Sequence, residues 1–165
     1  MRPPWSAPDD AGLDPLRLII VARRVEDGRY LFARWSDWPH PTMISTLAPS
    51  AEEGFVPGIQ SLLHGRMRVR VAGTPHLAAD RLPMRMPHPR GGGPMLGWLQ
   101  PVAVAVSGDP AADALIEEVV SLTLEEALAA LATDVERAAL RAGAAAFAAA
   151  ASSGESLPAA SAECA

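Results

Sequence analysis

Apolar residues recur along the chain with two different periods. Arg17–Val25 (RLIIVARRV) and Arg29–Trp35 (RYLFARW) are short apolar runs flanking Glu26-Asp27-Gly28. An acidic-Gly connection between two such runs predicts a β-hairpin. At Val56, Ile59, Leu62 and Leu63 the spacing changes to three and four residues. This predicts a short amphipathic helix over Pro57–Gly65, with Gly65 as its stop. Arg66–Ala72 then alternates, with Met67, Val69 and Val71 facing one way and Arg66, Arg68 and Arg70 the other. That is the pattern of a half-buried strand, whose arginines either meet solvent or line a cleft.

The second half continues the mixture. Ala79–Pro89 keeps some alternation, but Pro83 and Pro87 restrict it to an edge strand or an irregular loop. Arg90-Gly91-Gly92-Gly93 reads as a hairpin tip rather than a phosphate cradle, because the Lys-Ser/Thr of a P-loop is missing. Met95–Val106 carries the strongest strand pattern, with Pro101 marking a bulge or an edge. Thr123 with Glu126 and Thr133 with Glu136 have capping-box spacing, so helices should begin at Leu124 and Asp134, the second reaching about Ala150. Three segments follow: a loose arm over 1–14, one domain over 15–150, and a tail over 151–165 whose Ala/Ser composition predicts disorder.

Composition narrows the function classes. The chain has 165 residues, enough for one domain with a real core, and a net charge of −5. Bulk nucleic-acid binding is therefore not expected. The charge is unevenly spread: between Gly54 and Gly108 stand Arg66, Arg68, Arg70, Arg81, Arg85 and Arg90 against the single acid Asp80. The lone cysteine, Cys164, allows no disulfide framework. With no signal-peptide pattern and no apolar run long enough to span a bilayer, the expectation is a cytoplasmic protein without membrane contact.

The order hairpin, Pro/Ser/Glu-rich loop, short helix, strand and terminal Ser/Thr-Leu-Glu-Glu-Ala-Leu helix start resembles the Nudix (MutT-like) hydrolase superfamily over about residues 16–142. The resemblance implies an α-β-α sandwich, an α+β fold in which a mixed β-sheet is flanked by helices. It also implies a loop–helix–loop motif whose helix carries Arg-Glu-hydrophobic-x-Glu-Glu-x-Gly, with the carboxylates holding divalent metal. Glu52 and Gly54 match the start of that motif, and Arg34 stands where the second strand of the family often ends in Arg. Aligned from there, the acidic run falls on Leu63, His64, Gly65, Arg66, Met67 and Arg68.

Mg²⁺ requires hard oxygen ligands in near-octahedral geometry, which guanidinium and thioether groups cannot supply. The leading expectation is thus a Nudix-like pseudoenzyme: a metal-free fold with no catalytic residue and no cofactor, binding a small anionic or nucleotide-like ligand or a protein partner. Arg34, Arg66, Arg68 and Arg90 are its candidate anion contacts, and Trp38 its candidate base-stacking residue. The alternative is a divergent hydrolase of nucleoside diphosphate-linked substrates, with Glu52, Glu53, Glu117 and Glu118 recruited to bind Mg²⁺ and Glu117 or Glu118 as general base. Many relatives of this fold pair, so a homodimer is a further expectation.

Overall fold

The two opening runs form β1 (Leu16–Arg24) and β2 (Tyr30–Arg34), antiparallel with Ala22 opposite Leu31. Gly28, at φ +70°, closes the turn between them in a conformation only glycine adopts freely, and its N–H donates to the Arg24 carbonyl. This computed structural model describes residues 16–48, 54–87 and 94–154. The N-terminal arm, Glu52, Glu53, the Arg90 turn and the tail beyond Gly154 lie outside those residues.

After β2 the chain adds β3 (Ser45–Leu47), α1 (Val56–Met67), β4 (Arg70–Val71), β5 (His76–Leu77), β6 (Leu82–Pro87), β7 (Pro94–Ser107), β8 (Glu118–Leu122), α2 (Leu124–Ala130) and α3 (Asp134–Ser152). The strands form one mixed sheet with the path β4-β7-β1-β2-β8. β7 runs parallel to β1 from Trp98 opposite Leu16 to Val106 opposite Arg24. Its other edge is covered in succession by β6, β5 and β4, all antiparallel.

These three short strands are one interrupted strand. Leu82 lies opposite Leu99 while Leu77 lies opposite Val102, so four residues, 78–81, face two. The same excess recurs at 72–75. Pro101 sits opposite the first of these bulges, and its carbonyl accepts from the Ala78 N–H at 2.9 Å. Its missing N–H points to the same side, where the bulge removes the need for a ladder donor. Buried Gln100 secures the bulge by donating to the carbonyls of Ala78 and Pro101 while its Oε1 accepts from Arg81 Nε. The prolines of β6 fit its place at an edge.

Period-two alternation in β1 and β7 divides the core between the two faces of the sheet. Leu18, Ile20, Val102 and Val104 pack with Ile59, Leu63 and Met67 of α1. Ile19, Val21, Tyr30, Phe32 and Ala103 pack with Leu140 and Phe147 of α3 and Ala127 of α2. Helices thus cover both faces, as the α-β-α expectation requires.

Both terminal helices begin at the expected residues. The Thr123 hydroxyl accepts from the Glu126 N–H, and the Glu126 carboxylate accepts from the Thr123 N–H, completing a capping box. Thr133 completes only half of one. Its hydroxyl accepts from the Glu136 N–H, but the Glu136 carboxylate turns to the Thr133 hydroxyl and the Met43 N–H. α3 runs to Ser152, two residues beyond the expected end.

The region after the first helix departs from expectation. Gly65 does not stop α1; it lies inside the helix on an exposed position, and the helix continues to Met67. Arg68 takes the left-handed cap conformation instead (φ 59°, ψ 24°), with its N–H donating to the His64 carbonyl. A helical glycine costs only about 1 kcal/mol relative to alanine, so packing of Ile59, Leu63 and Met67 carries the helix past it. The strand expected over Arg66–Ala72 shrinks to Arg70–Val71. Its alternation of burial is real, with Met67 and Val69 buried and Arg68 and Arg70 exposed, but a helix end and a left-handed turn produce it.

Candidate functional site

Residues 108–117 connect β7 to β8 and are stitched to the end of α1. The Ala111 N–H donates to the Met67 carbonyl, and Arg66 pairs with Asp113 at 2.8 Å. The other Asp113 oxygen accepts from the Leu115 and Ile116 N–H groups, an Asx-type turn that aims buried Ile116 into the α1 side of the core. The Arg66 hydrogen bond, reinforced by those two N–H groups, holds the Asp113 carboxyl below the ordinary aspartate range.

At the far end of this connection the Glu117 N–H donates to the Arg34 carbonyl. The Arg34 guanidinium lies 2.5 Å from Glu118 and 3.9 Å from Glu117. Arg34 and Glu118 are direct cross-strand partners in the β2–β8 ladder, which explains the closer contact. A charged seam therefore runs from α1 to β2, with Arg66 and Arg34 at its ends and the carboxylates of Asp113, Glu117 and Glu118 between them.

The nominated residues separate on this geometry. Arg34, Glu117 and Glu118 meet at one point. Arg66 belongs to the same seam, but Asp113 already holds it. A ligand phosphate would have to compete with carboxylates for both guanidinium groups. Arg68 is exposed at the helix cap and makes no ion pair among the described residues. Trp38 is 45% exposed on the loop after β2, in edge contact with His40 at 5.5 Å between ring centroids. Trp35, its neighbour in sequence, is instead a packing residue whose Nε1 donates to Thr42. Glu52, Glu53 and Arg90 fall outside the described residues.

Asp113 was the residue sequence reasoning missed. An acid followed two and three residues later by turn N–H groups is a local signal, but its partner Arg66 lies 47 positions away and no spacing rule connects them.

Among the described residues, the divalent ion that the resemblance implies finds no fitting donor set. α1 contains no Asp or Glu, and among the described residues no three His, Cys, Asp or Glu side chains form a group able to hold a metal. Glu117 and Glu118 converge on an arginine, which occupies the side where a cation would bind.

The described residues also line surface grooves apart from the seam. One, of ≈ 580 Å³, lies between β5 and the small residues of α3, including Ala142, Ala146 and Ala149. Another, of ≈ 480 Å³, lies between α1 and β4 and is lined by Pro57, Gln60, Ser61, His64 and Arg70. No helix among the described residues is long and apolar enough to cross a membrane.

No family model matches the sequence, and no curated protein matches it significantly. The fold, however, is shared with solved structures. A protein of Listeria monocytogenes str. 4b F2365 assigned as a NUDIX hydrolase superposes with a TM-score of 0.61 at 11% identity, over 86% of this chain and 97% of that one. The dihydroneopterin triphosphate pyrophosphohydrolase of E. coli gives 0.56 at 9% identity, over 78% and 95%. The NUDIX domain of Shewanella oneidensis NrtR, solved in complex with ADP ribose, gives 0.54 at 12% identity, over 86% and 94%. The expected mixed sheet between helices and the agreement with these structures lead to one conclusion: this chain has the fold of the Nudix hydrolases.

Proposed function

We propose that this protein is a metal-free, Nudix-fold binding module for a nucleotide-like anion. The carrying observation is that α1, the helix expected to bear the metal-binding carboxylates, bears none and ends in His64 and Arg66, followed by Arg68. The helix end also revises the alignment. The quoted pattern closes on a glycine after the helix, and the residue in a glycine-like conformation is Arg68 rather than Arg70.

Placing the closing glycine at Arg68 moves the register by two residues. The hydrophobic slot of the pattern then falls on fully buried Leu63 instead of exposed Gly65. The three acid positions become Leu62, Gly65 and Arg66. Neither register contains a carboxylate, so the reading does not depend on the choice.

Without metal, the negative charge of a bound phosphate must be met by cations, and among the described residues Arg68 is the nominated guanidinium that no carboxylate neutralises. Trp38 offers an exposed aromatic face on which a base can stack. The ADP ribose bound by the NrtR domain supports a ligand of this class.

Calorimetric titration with ADP-ribose and other nucleoside diphosphate sugars, with EDTA present, tests the reading. Binding that survives EDTA and weakens about tenfold in Arg68→Gln is expected, the usual effect of losing one charge-assisted hydrogen bond. The absence of heat and of any thermal shift across the panel would remove the nucleotide-like ligand.

A further inference from the structure

Within α1, Pro57, Gln60, Ser61 and His64 are spaced three and four apart and therefore share one face. All four are exposed, whereas Ile59, Leu63 and Met67 are buried. At 100° per residue their mean direction is about 180° from that of Leu62 and Arg66, so they look away from the charged seam. After the left-handed turn at Arg68, β4 brings Arg70 up beside them, closing the groove of ≈ 480 Å³.

The chemistry of this lining is one-sided. Arg70 offers five N–H donors in a fixed fork, His64 a ring N–H, Ser61 a hydroxyl and Gln60 an amide NH₂. Among the described residues no carboxylate lines the groove, and the chain has no Asp or Glu from residue 54 to residue 79. Arg70 is unpaired among the described residues, in contrast to Arg66 and Arg34, which carboxylates hold. Pro57 adds a rigid apolar wall at one end. The volume lies in the range of small-molecule sites, larger than a bare ion needs.

We infer that this groove is a second site, which binds the phosphoryl group of a small phosphorylated ligand. Arg70 grips two phosphoryl oxygens, His64 and Ser61 donate to the remaining oxygen, and the body of the ligand lies along Pro57 and Gln60. The site is distinct from the nucleotide reading above, because it uses neither Arg68 nor Trp38 and looks away from Arg66 and the charged seam.

The test is NMR of the full chain titrated with inorganic phosphate and, separately, with ribose 5-phosphate, at constant ionic strength set with sodium chloride. The His64 ring protons, assigned through His64→Gln, and the Ser61 and Arg70 amides should shift in a saturable way. Arg70→Gln should weaken binding about tenfold or more, whereas Arg85→Gln, an exposed arginine on β6, should leave it unchanged. Tighter binding of ribose 5-phosphate than of phosphate identifies a phosphate ester as the ligand; equal binding identifies free phosphate. Either supports the site. The proposal is overturned if neither probe moves the His64 resonances, or if Arg70→Gln and Arg85→Gln bind alike. Both substitutions are at exposed positions, and a circular dichroism spectrum confirms that the variants fold. Loss of ADP-ribose binding in Arg68→Gln with retained phosphate binding would separate the two sites.

Discussion

Gly143→Ala sets helix propensity directly against packing. Gly143 sits in the middle of α3, where alanine is ordinarily better by about 1 kcal/mol. A Cβ built there would lie 2.4 Å from Val21 Cγ2, 2.5 Å from Cβ and 2.6 Å from Cγ1. Ordinary contact begins near 3.4 Å, so helix and strand must separate by roughly 1 Å. Neither wall yields easily. Val21 is 1% exposed and its strand is pinned by the parallel β7 ladder, with Ala103 as its partner.

Overpacking of this kind costs about 1–3 kcal/mol, and the tight geometry argues for the upper half of that range. Subtracting the propensity gain leaves a loss of about 1–2 kcal/mol. For a domain of this size that lowers the melting temperature by about 2–8 °C in differential scanning calorimetry. Adding Val21→Ala removes the two Cγ contacts but keeps the Cβ contact at 2.5 Å, so it relieves only part of the clash, and the double variant should be more stable than the sum of the single effects by about 0.5–1 kcal/mol. A Gly143→Ala protein that melts at or above the wild-type temperature would refute the reasoning.

Three further predictions concern stability. Asp113→Asn removes a carboxylate whose folded pKa is lowered by Arg66, so its contribution is present above the ordinary aspartate value of 3.8 and is lost as pH falls through the lower folded value. The difference in melting temperature between wild type and variant should be constant at neutral pH and close below about pH 4; a gap that persists in acid would count against the ion pair. Arg68→Gly relieves a left-handed residue and should raise the urea midpoint, by about 1 kcal/mol in stability, while weakening ligand binding. A drop in midpoint would argue against strain at the cap. Gln100→Leu deprives the Ala78 carbonyl and Arg81 Nε of buried partners and should cost about 2 kcal/mol or more. Faster amide hydrogen exchange confined to 78–82 would locate that loss, and unchanged exchange would contradict it.

Much of the fold was legible because local chemistry and tertiary packing agreed. The Glu26-Asp27-Gly28 connection, the alternation of β1 and β7 and the threonine caps of α2 and α3 are each decided within a few residues. Of the bulge or edge that Pro101 implies, the bulge occurs and the edge does not, since β7 is paired on both sides; the extra residues are on the opposing strand, where its own neighbours give no sign of them. The end of the first helix is not legible, because Gly65 imitates a stop while the actual cap falls on an arginine that has no local reason to take a left-handed conformation. A helix terminus followed by a two-residue strand therefore has the alternation of one long strand.

The candidate site was legible in part. Arg34 and the Glu117-Glu118 pair were nominated, and the β2–β8 register joins them, because each stood at the end of a recognisable strand. The pairing of Arg66 with Asp113 and the union of Arg70 with His64 depend on tertiary approach across the helix end, which composition cannot reveal. Gly143 resembles one more small residue in an alanine run until Val21 is placed against it.

The central claim is that this Nudix fold binds without metal-dependent hydrolysis. It is tested most directly by measuring phosphate and pyrophosphate release from a panel of nucleoside diphosphate compounds, with Mg²⁺ or Mn²⁺, for wild type and Glu117→Gln. The expected result is no turnover above the protein-free control for either protein, alongside EDTA-resistant binding of at least one panel member. Metal-dependent turnover that disappears in Glu117→Gln would contradict the claim and establish that acids outside α1 perform the chemistry.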